Sequence, residues 1–353
     1  MGLSAAPRIG LDVGTSAVRA AWVTGGRGGR SLVKFGQVAL PAGAVEGGEI
    51  RDPEAVAGAI SQLWKRAKIK SKNTIVGVAN QRVVVRQIDL PHMEEKELRA
   101  SLKFQIAEHI PMPVDEAELD FQIIDDFMTE DGEHMIRVLL VAAASDMVQS
   151  VVSAVSAAGL HPAGVDLTPF AVARAVSQSA RGESGIAGAE AIIDVGAGVT
   201  NIIVHHNGEP RFVRILLVGG DVATTGLAEQ MGITFEEAEA LKFDLGRGVG
   251  AEDARKALTA RVNSLVSEIQ GSIDYYLSLE DSEPVASVII TGGGSLTPGL
   301  LERLEASLGT QVRRGAALGD ISVKKSGLTN EQVAQIEPVA AAAVGLAMGA
   351  SSK

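Results

Sequence analysis

The N-terminal part of the chain alternates between short apolar runs and small or polar residues. Apolar runs at 9–13 and 17–23 flank the small residues 14–16, which predicts a β-hairpin with a tight turn. Residues 56–64 carry apolar side chains at helical spacing and predict a helix. The short apolar run at 74–79 predicts a buried strand.

The hairpin pattern occurs a second time later in the chain. Apolar runs at 191–195 and 200–204 flank the small residues 196–199, and a Gly/Ser/Ala-rich linker at 181–189 precedes them. Both copies have the order apolar strand, aspartate, glycine, small hydroxyl residue and apolar strand. The repeat predicts two lobes of related architecture, each presenting a loop at a strand end. A long helix and a strand at 285–290 follow; the helix stripe comprises Leu258, Val262, Leu265, Ile269 and Ile273.

Between the two hairpins the pattern changes. A strand at 83–88 leads to a helix with one apolar face, which is predicted to end at the prolines of segment 111–113. That face comprises Leu98, Leu102, Ile106 and Ile110. Strands at 119–124 and 135–142 and a helix capped by Ser145 complete a small α+β domain that interrupts the first lobe. The predicted limits are 1–81 and 161–180 for the first lobe, 82–160 for the inserted domain and 186–353 for the second lobe.

The composition narrows the class of function. The chain has 353 residues, of which 46% are hydrophobic and 21% charged, and a net charge of -11. This acidic balance argues against nonspecific nucleic-acid binding, and the absence of cysteine excludes disulfides and thiolate metal sites. The apolar stretch at 339–350 is too short to span a bilayer, and the N-terminus shows no secretory signal. We therefore expect a cytoplasmic protein without direct membrane insertion.

Each hairpin turn offers the residue types that a phosphate chain requires. Glycines let backbone N–H groups approach phosphate oxygens, hydroxyls add donors, and an aspartate suits Mg²⁺ bound through water. The candidate phosphate-binding residues are Asp12, Gly14, Thr15, Ser16, Asp194, Gly196, Gly198, Thr200 and Asn201. Asp12 and Asp194 are the candidate Mg²⁺ ligands. Taken singly, an Asp-X-Gly hairpin is more often only a turn.

A third glycine-rich segment strengthens the prediction of a phosphate-binding site made from the two hairpin turns. Gly292, Gly293, Gly294 and Ser295 follow the apolar strand at 285–290 and precede a predicted helix. A loop of this kind can pack flat against an adenosine and its α-phosphate. Together the three segments predict a site for one Mg-ATP between two lobes.

The three segments resemble the phosphate-1, phosphate-2 and adenosine motifs of the actin superfamily, which also contains the Hsp70 chaperones and FtsA. The resemblance implies an α/β fold, the two-lobed actin-like (ribonuclease H-like) ATPase fold, with the small α+β domain inserted in the first lobe. It also implies that Gly219, Gly220 and Asp221 close under the nucleotide. Glu239 and Lys242 resemble the pair that contacts ribose and adenine, with an ordinary surface ion pair as the alternative.

The inserted unit is similar to that of the PilM family of type IV pilus assembly proteins. The similarity lies in Gln87-Ile-Asp-Leu-Pro91, Phe104-Gln-Ile-Ala-Glu-His-Ile110-Pro-Met-Pro113-Val and Leu119-Asp-Phe121. It implies a cytoplasmic ATP-binding adaptor with an SHS2-type inserted domain, held peripherally at the inner face of the membrane by a protein. In that family the protein grips the N-terminal tail of the inner-membrane protein PilN and links it to the assembly motor. The assembly ATPase, the platform protein and a second copy are further partners that the resemblance suggests.

The sequence departs from the pattern of related ATPases at the position of the catalytic residue. Related ATPases carry a catalytic carboxylate just before a helix-opening proline, and Thr168 stands there, before Pro169. Thr168 cannot act as a general base at neutral pH, and Asp166, the weak catalytic candidate, is displaced by two residues. We therefore expect slow ATP hydrolysis or none. A filament-forming, FtsA-like division protein and a small-molecule kinase of the same superfamily stay open as alternatives.

The inserted domain is the expected docking site for the partner tail. An extended peptide can add to a sheet edge or lie in a strand–helix groove. The groove candidates, named by analogy, are Val83, Val85, Phe104, Ile110, Met112 and Phe121. The domain's own core is an equally good interpretation of each.

The histidines give no sign of a metal site in the sequence. His205 and His206 lie at the end of a predicted strand without a further ligand at suitable spacing. The other four are scattered and are predicted to be surface residues; they are His92, His109, His134 and His161.

Overall fold

Two large mixed sheets and one small antiparallel sheet organise the chain. The computed structural model describes residues 8–26, 29–182 and 185–349. The strands are β1 (Arg8–Val13), β2 (Ala17–Gly26), β3 (Gly29–Ala39), β4 (Val45–Glu46), β5 (Glu49–Ile50), β6 (Asn73–Val78), β7 (Val83–Pro91), β8 (Ala117–Met128), β9 (His134–Ala144), β10 (His161–Leu167), β11 (Ala189–Val195), β12 (Thr200–His206), β13 (Glu209–Leu216), β14 (Val285–Thr291), β15 (Val312–Arg314) and β16 (Ile321–Ser322). The α-helices are α1 (Pro53–Ala67), α2 (Glu95–Gln105), α3 (Ser145–Ala157), α4 (Thr168–Val176), α5 (Asp221–Met231), α6 (Phe235–Gly246), α7 (Glu252–Leu277), α8 (Leu300–Leu308), α9 (Asn330–Ile336) and α10 (Ala341–Met348).

The two large sheets repeat one topology. The first has the strand order β10-β6-β1-β2-β3-β16 and the second β13-β12-β11-β14-β15. In each sheet a hairpin pairs antiparallel, β1 with β2 and β11 with β12, while its first strand pairs in parallel with a later strand. The predicted internal repeat is confirmed at the level of strand pairing. Because the two hairpins occupy equivalent positions in the strand orders, their turns lie at the same end of the two sheets.

The inserted unit is a three-stranded antiparallel sheet of order β7-β9-β8, with α2 covering one face. Every second side chain of β9 points to α2, and these residues (Ile136, Val138, Leu140 and Ala142) are buried with the apolar face of the helix. The predicted helix end at 111–113 is wrong, because α2 already ends at Gln105. Ile106 and Ile110 are buried all the same, since turns carry them under the helix.

The helix α3 starts at Ser145, but Ser145 is not its cap. Ala144 precedes the first turn, and the Ser145 side chain caps nothing there. The buried side chains of α3 belong to the core under the first sheet, together with those of α1. We therefore propose that the inserted domain ends near Ala144 rather than at the predicted residue 160.

The C-terminal part of the chain returns to the first lobe. The strand β16 pairs with β3, and α10 packs against α4 and the strands β1 and β2. The predicted assignment of 186–353 to the second lobe therefore differs from the packing of these segments. Gly10 explains the close approach of α10, because a Cβ atom there would lie 2.0 Å from the Ala343 carbonyl oxygen.

Candidate functional site

A cleft of about 390 Å³ lies where the strand ends of the two large sheets face each other. The two hairpin turns, the segment that opens α5 and the loop after β14 form its walls. Of the predicted site residues, those that line the cleft are Asp12, Gly14, Thr15, Ser16, Asp194, Gly196, Asn201, Gly220, Asp221, Glu239, Lys242, Gly292, Gly293 and Gly294. Residues that are distant in sequence thus converge on one space.

Glycine is required here by the packing of the loops on each other. A Cβ atom at Gly219 would lie 2.4 Å from the Ala197 carbonyl oxygen, and one at Gly294 would lie 2.5 Å from the Gly196 carbonyl oxygen. The Gly220 N–H donates to that same Gly196 oxygen at 2.9 Å. These glycines hold three loops in backbone contact, and this contact places their remaining N–H groups around the cleft.

At Gly292 both the backbone conformation and the lack of space require glycine. Its φ of 88° lies in the left-handed region, and a Cβ atom would lie 2.2 Å from the Val195 carbonyl oxygen. By contrast, Gly293 is exposed toward the cleft, and a Cβ atom there would meet only the Val339 side chain, at 3.3 Å. The two neighbouring glycines can therefore be tested for different roles.

Two carboxyl groups, one from each lobe, meet at the bottom of the cleft. Burial raises the pKa of Asp12, against the opposing effect of the Arg19 guanidinium, whose Nη1 lies 3.5 Å from the carboxyl. Burial raises the pKa of Asp194 to about 6; a hydrogen bond from Asn201 at 3.0 Å opposes the shift, and the Asp12 charge adds to it. A cation bound between them would favour the charged form of both.

Asn201 fits a ligand in the same place. Its Nδ2 donates to Asp194, whereas its Oδ1 is buried and has no hydrogen-bond partner among the described residues. An orphaned buried carbonyl oxygen beside two carboxylates is an oxygen-rich set, which suits Mg²⁺ or its bound water.

A hydrogen-bonded cluster forms the opposite wall. Lys242 Nζ lies 2.6 Å from Glu239 Oε2 and donates to Thr224 Oγ1 at 2.7 Å. Thr224 Oγ1 in turn donates to Glu239 Oε2 at 2.5 Å. Lys242 is buried, so the pair is no ordinary surface ion pair. Burial also raises the pKa of Asp221, which the Lys242 charge opposes.

Four predicted residues lie behind the cleft wall and do not line it. Thr200 is buried and donates to the Val218 carbonyl oxygen at 2.7 Å. Ser295 donates to the Gly292 carbonyl oxygen at 2.7 Å. Gly219 touches the neighbouring loop, and Gly198 lies so close to Thr15 that a Cβ atom would be 3.0 Å from Thr15 Oγ1. These residues shape the loops, and the last contact joins the loops of the two lobes.

The weak catalytic candidate Asp166 does not line the cleft. Asp166 lies outside the cleft lining, where its carboxylate pairs with Arg174 and accepts from the Leu167 N–H at 2.8 Å. Thr168, at the first position of α4, does line the cleft and is buried. Asp166 as a site residue thus stays a prediction that the cleft lining does not support, and Thr168 is the residue of this segment that lines the cleft.

Sequence reasoning missed Arg19 and the segment before α10. Arg19 pairs with Asp12 in the register of the β1–β2 hairpin, so counting outward from the turn would have found it. It is the guanidinium nearest to the cleft carboxylates in the described chain. Pro338 and Val339 also line the cleft. They carry no local signal, because only the return of the chain to the first lobe brings them there.

The predicted partner groove is not one surface. Val83 and Val85 pack against the core of the first lobe. Ile110 and Phe121 lie in the core of the inserted unit, where the Arg99 guanidinium covers the Phe121 ring at 4.7 Å. Ile110 and Phe121 thus follow the alternative interpretation, as core residues of the domain itself, whereas Val83 and Val85 face the first lobe.

A second cavity, of about 600 Å³, lies between the inserted unit and the start of α3. Its lining is Gln81, Arg82, Val84, Pro111, Met112, Asp115, Glu116, Ala144, Ser145 and Asp146. Met112 is thus the predicted groove residue that reaches it. Phe104 is 87% exposed and lies apart from this lining. Arg82 bridges Asp146 at 2.8 Å and Glu49 at 3.0 Å, so an ion-pair network joins the cavity to the first lobe.

The helices of the described residues include none that is both long and apolar enough to cross a membrane. The helix α10 is short, with eight residues, and most of them are buried against the first lobe.

Comparison with known proteins places this architecture. A family model described as type IV pilus assembly protein PilM matches residues 10–351. The fold superposes on a chain of the PilM-PilN type IV pilus biogenesis complex with a TM-score of 0.82 and 26% identity, over 97% of both chains. The predicted two-lobed actin-like fold is confirmed.

The curated relatives include cell division protein FtsA from two bacteria. The protein of Neisseria meningitidis is 28% identical over 202 residues, which is 51% of this chain and 48% of that protein. The protein of Streptococcus pneumoniae is 24% identical over 349 residues, which is 86% of this chain and 74% of that protein. The matched segment thus spans about half of the first relative.

Proposed function

Because the chain belongs to the PilM family of type IV pilus assembly proteins, we propose that it is an ATP-binding adaptor of the pilus assembly platform. It binds the N-terminal cytoplasmic tail of a PilN-like inner-membrane protein and links that protein to the assembly motor. The observation that carries this proposal is the likeness to the PilM-PilN complex over 97% of both chains. In this function the protein is cytoplasmic and reaches the inner face of the membrane through its partner.

The ligand of the cleft is Mg-ATP. Asp12 and Asp194 approach from different lobes, and Mg²⁺ held through water between them would offset the cost of burying two like charges. Arg19 lies beside Asp12 and can reach a phosphate oxygen. The Glu239–Lys242 pair offers an acceptor and a donor for ribose and base, and the exposed face of Gly293 leaves room for the adenosine.

ATP acts as a conformational ligand in this proposal. Thr168 stands where related ATPases carry a carboxylate, and a hydroxyl is no general base at neutral pH. The loops of the two lobes already touch at Gly198 and Thr15, so a nucleotide that bridges them favours the closed form. It can shift the equilibrium only by its difference in affinity for the open and closed forms.

The partner tail binds in the second cavity, between the inserted unit and α3. This cavity combines apolar side chains, Val84 and Met112, with the carboxylates of Asp115, Glu116 and Asp146. Because Arg82 already pairs with Asp146 and Lys103 with Asp115, this lining suits a short segment with apolar anchors and a positive charge directed to Glu116. Because Arg82 joins the cavity rim to the first lobe at Glu49, movement of the lobes can alter the tail affinity.

Binding of a labelled partner-tail peptide, measured by fluorescence anisotropy with and without Mg-ATP, tests the proposal. We expect Met112→Glu to weaken the tail at least tenfold. Phe104→Glu introduces the same charge on the inserted unit outside the cavity and should change the affinity less than twofold. Equal effects of the two variants would contradict the location.

The nucleotide part of the proposal has its own matched pair. Gly293→Glu places a charge in the cleft without backbone strain and should abolish Mg-ATP binding in calorimetry. Gly271→Glu makes the same change on the open side of α7, where no atom lies within 4 Å, and should leave binding intact. Wild-type affinity in folded Gly293→Glu protein would refute nucleotide binding in this cleft. Capture of division proteins rather than a pilus protein from solubilised membranes would favour the FtsA-like alternative.

A further inference from the structure

Two histidines and an aspartate meet at the tip of the inserted unit. The rings of His92 and His134 stack with their centroids 3.9 Å apart and an angle of 8° between their planes. His134 Nε2 lies 2.5 Å from Asp126 Oδ1, and His92 Nε2 lies 3.5 Å from Asp126 Oδ2. The two imidazoles therefore direct the same ring nitrogen to the two oxygens of one carboxylate.

The strand register produces this arrangement. Met128 pairs with His134 across the β8–β9 hairpin, so Asp126 lies two residues back on the same face of β8. On the other side, the His92 N–H donates to the His134 carbonyl oxygen at 2.9 Å, which extends the β7–β9 ladder by one residue. Three adjacent strands thus bring the three side chains to one end of the sheet. His92 and His134 are surface residues as predicted, but they are stacked together rather than scattered.

We propose that His92, His134 and Asp126 form a binding site for a borderline divalent cation such as Zn²⁺. The ligands are Nε2 of each imidazole and the carboxylate, and all three ligand atoms lie within 4.8 Å of one another. Two imidazoles and one carboxylate suit Zn²⁺, Ni²⁺ or Cu²⁺ rather than Mg²⁺ or Ca²⁺, which prefer sites made of oxygen alone.

The separations of the ligand atoms are close to those of a three-ligand zinc site, whereas the stacked rings must rotate, because a bound metal lies in the plane of each imidazole. Zn–N and Zn–O distances of about 2.0–2.1 Å in a tetrahedral site separate neighbouring ligand atoms by roughly 3.3 Å. The His92–Asp126 separation of 3.5 Å already matches, and the His134–Asp126 separation of 2.5 Å must widen. Both side chains can move, since His134 is 46% exposed and Asp126 55% exposed. A water molecule would complete the fourth position, as in zinc sites with three protein ligands.

The neighbouring charges leave the carboxylate available. Arg137, on the central strand, is held by Asp89, with two hydrogen bonds of 2.8 and 2.9 Å. The partners that the structure gives the Asp126 carboxylate are the two imidazoles. A cation can therefore replace the imidazole–carboxylate contacts without competing with an arginine.

Zinc titration of the purified, tag-free chain in excess Mg²⁺ tests the site. Magnesium fills the oxygen-rich cleft and leaves the imidazoles free, so calorimetry should report one Zn²⁺ per chain. His92→Gln, His134→Gln and Asp126→Asn should each weaken binding at least tenfold. His161→Gln removes an exposed histidine at the start of β10 and should not change it.

Cobalt provides an independent readout. Co²⁺ in a tetrahedral or five-coordinate nitrogen–oxygen site gives visible absorption bands, and these should be present in the wild type and lost in the His92→Gln/His134→Gln double variant. Circular dichroism should show that both proteins are folded, since the substituted side chains are exposed at the tip of the sheet. Equal zinc binding by the wild type and the double variant, or no zinc binding by the wild type, would overturn the proposal.

Discussion

Replacing Asp194 by asparagine tests whether the buried negative charge of this carboxyl group destabilises the ligand-free protein. Burial raises the pKa of Asp194 from 3.8 to about 6. The ionised carboxyl therefore destabilises the ligand-free native state above the native pKa by up to about 3 kcal/mol, at 1.36 kcal/mol per pKa unit. This value is an upper bound because the cleft is open to water. Asparagine keeps the shape, and its amide oxygen can still accept the hydrogen bond from Asn201.

The raised pKa of Asp194 determines the direction in which stability changes with pH. The favourable contribution of Asp194 is fully present below pH 3.8 and is lost as the pH rises through about 6. The ligand-free asparagine variant should therefore be as stable as the wild type near pH 3.8 and more stable than the wild type near pH 8. At about 1–2 °C per kcal/mol for a chain of this length, the gain in Tm is at most about 3–6 °C.

The assay is thermal unfolding at several pH values without nucleotide or Mg²⁺, followed by Mg-ATP titration at neutral pH. The variant should be more stable and yet bind Mg-ATP at least tenfold more weakly. Asp166→Asn is the matched control: it breaks the pair with Arg174 outside the cleft, so Tm should not rise and nucleotide affinity should not change. A Tm difference that does not depend on pH, or a less stable variant near pH 8, would refute the reasoning.

Three further predictions concern the same cleft. The affinity of the wild type for Mg-ATP should fall as the pH drops below about 6, because the cation needs the charged form of Asp194. Calorimetry over the same pH range with Mg-free ATP should show no such fall in affinity. Gly292→Ala should destabilise the chain by about 2 kcal/mol or more in denaturant unfolding, since its φ is 88° and the new Cβ meets the Val195 oxygen, whereas Gly271→Ala in α7 should stabilise it by about 0.5–1 kcal/mol. Thr168→Ala should leave any slow phosphate release by the wild type unchanged within about twofold, because a hydroxyl does not act as the base; a tenfold loss would assign Thr168 a direct role.

Most of the elements could be predicted from the sequence because their signals are local. The alternation of apolar residues around Asp12 and Asp194 predicted both hairpins, and their likeness predicted two related lobes, which the strand pairing confirms. The end of α2 was predicted wrongly because a proline marks where a helix cannot continue, and a helix can end earlier. Ile106 and Ile110 kept the apolar pattern going past that end, since turns can bury side chains as well as a helix does.

The candidate site was predictable in its residue types and less so in their individual positions. The glycines and aspartates of the three loops line one cleft, because strand ends of paired hairpins lie at one edge of a sheet. Thr200 and Ser295 were expected beside the ligand, yet Ser295 donates to a carbonyl oxygen of its own loop and Thr200 to that of Val218, in the segment before α5. Asp166 was expected near the cleft, yet its carboxylate pairs with Arg174 of α4, and no local pattern of β10 encodes that contact.

The sequence by itself determined the two lobes, the inserted unit and the three glycine-rich loops, because each depends on interactions within a hairpin or a helix turn. Only the tertiary structure decided which distant residues meet. It brought Val339 to the cleft, α3 to the first lobe, and His92 beside His134 and Asp126. These contacts depend on how strands align and how separate elements pack, and no local periodicity of the chain encodes the distance between side chains that are far apart in sequence.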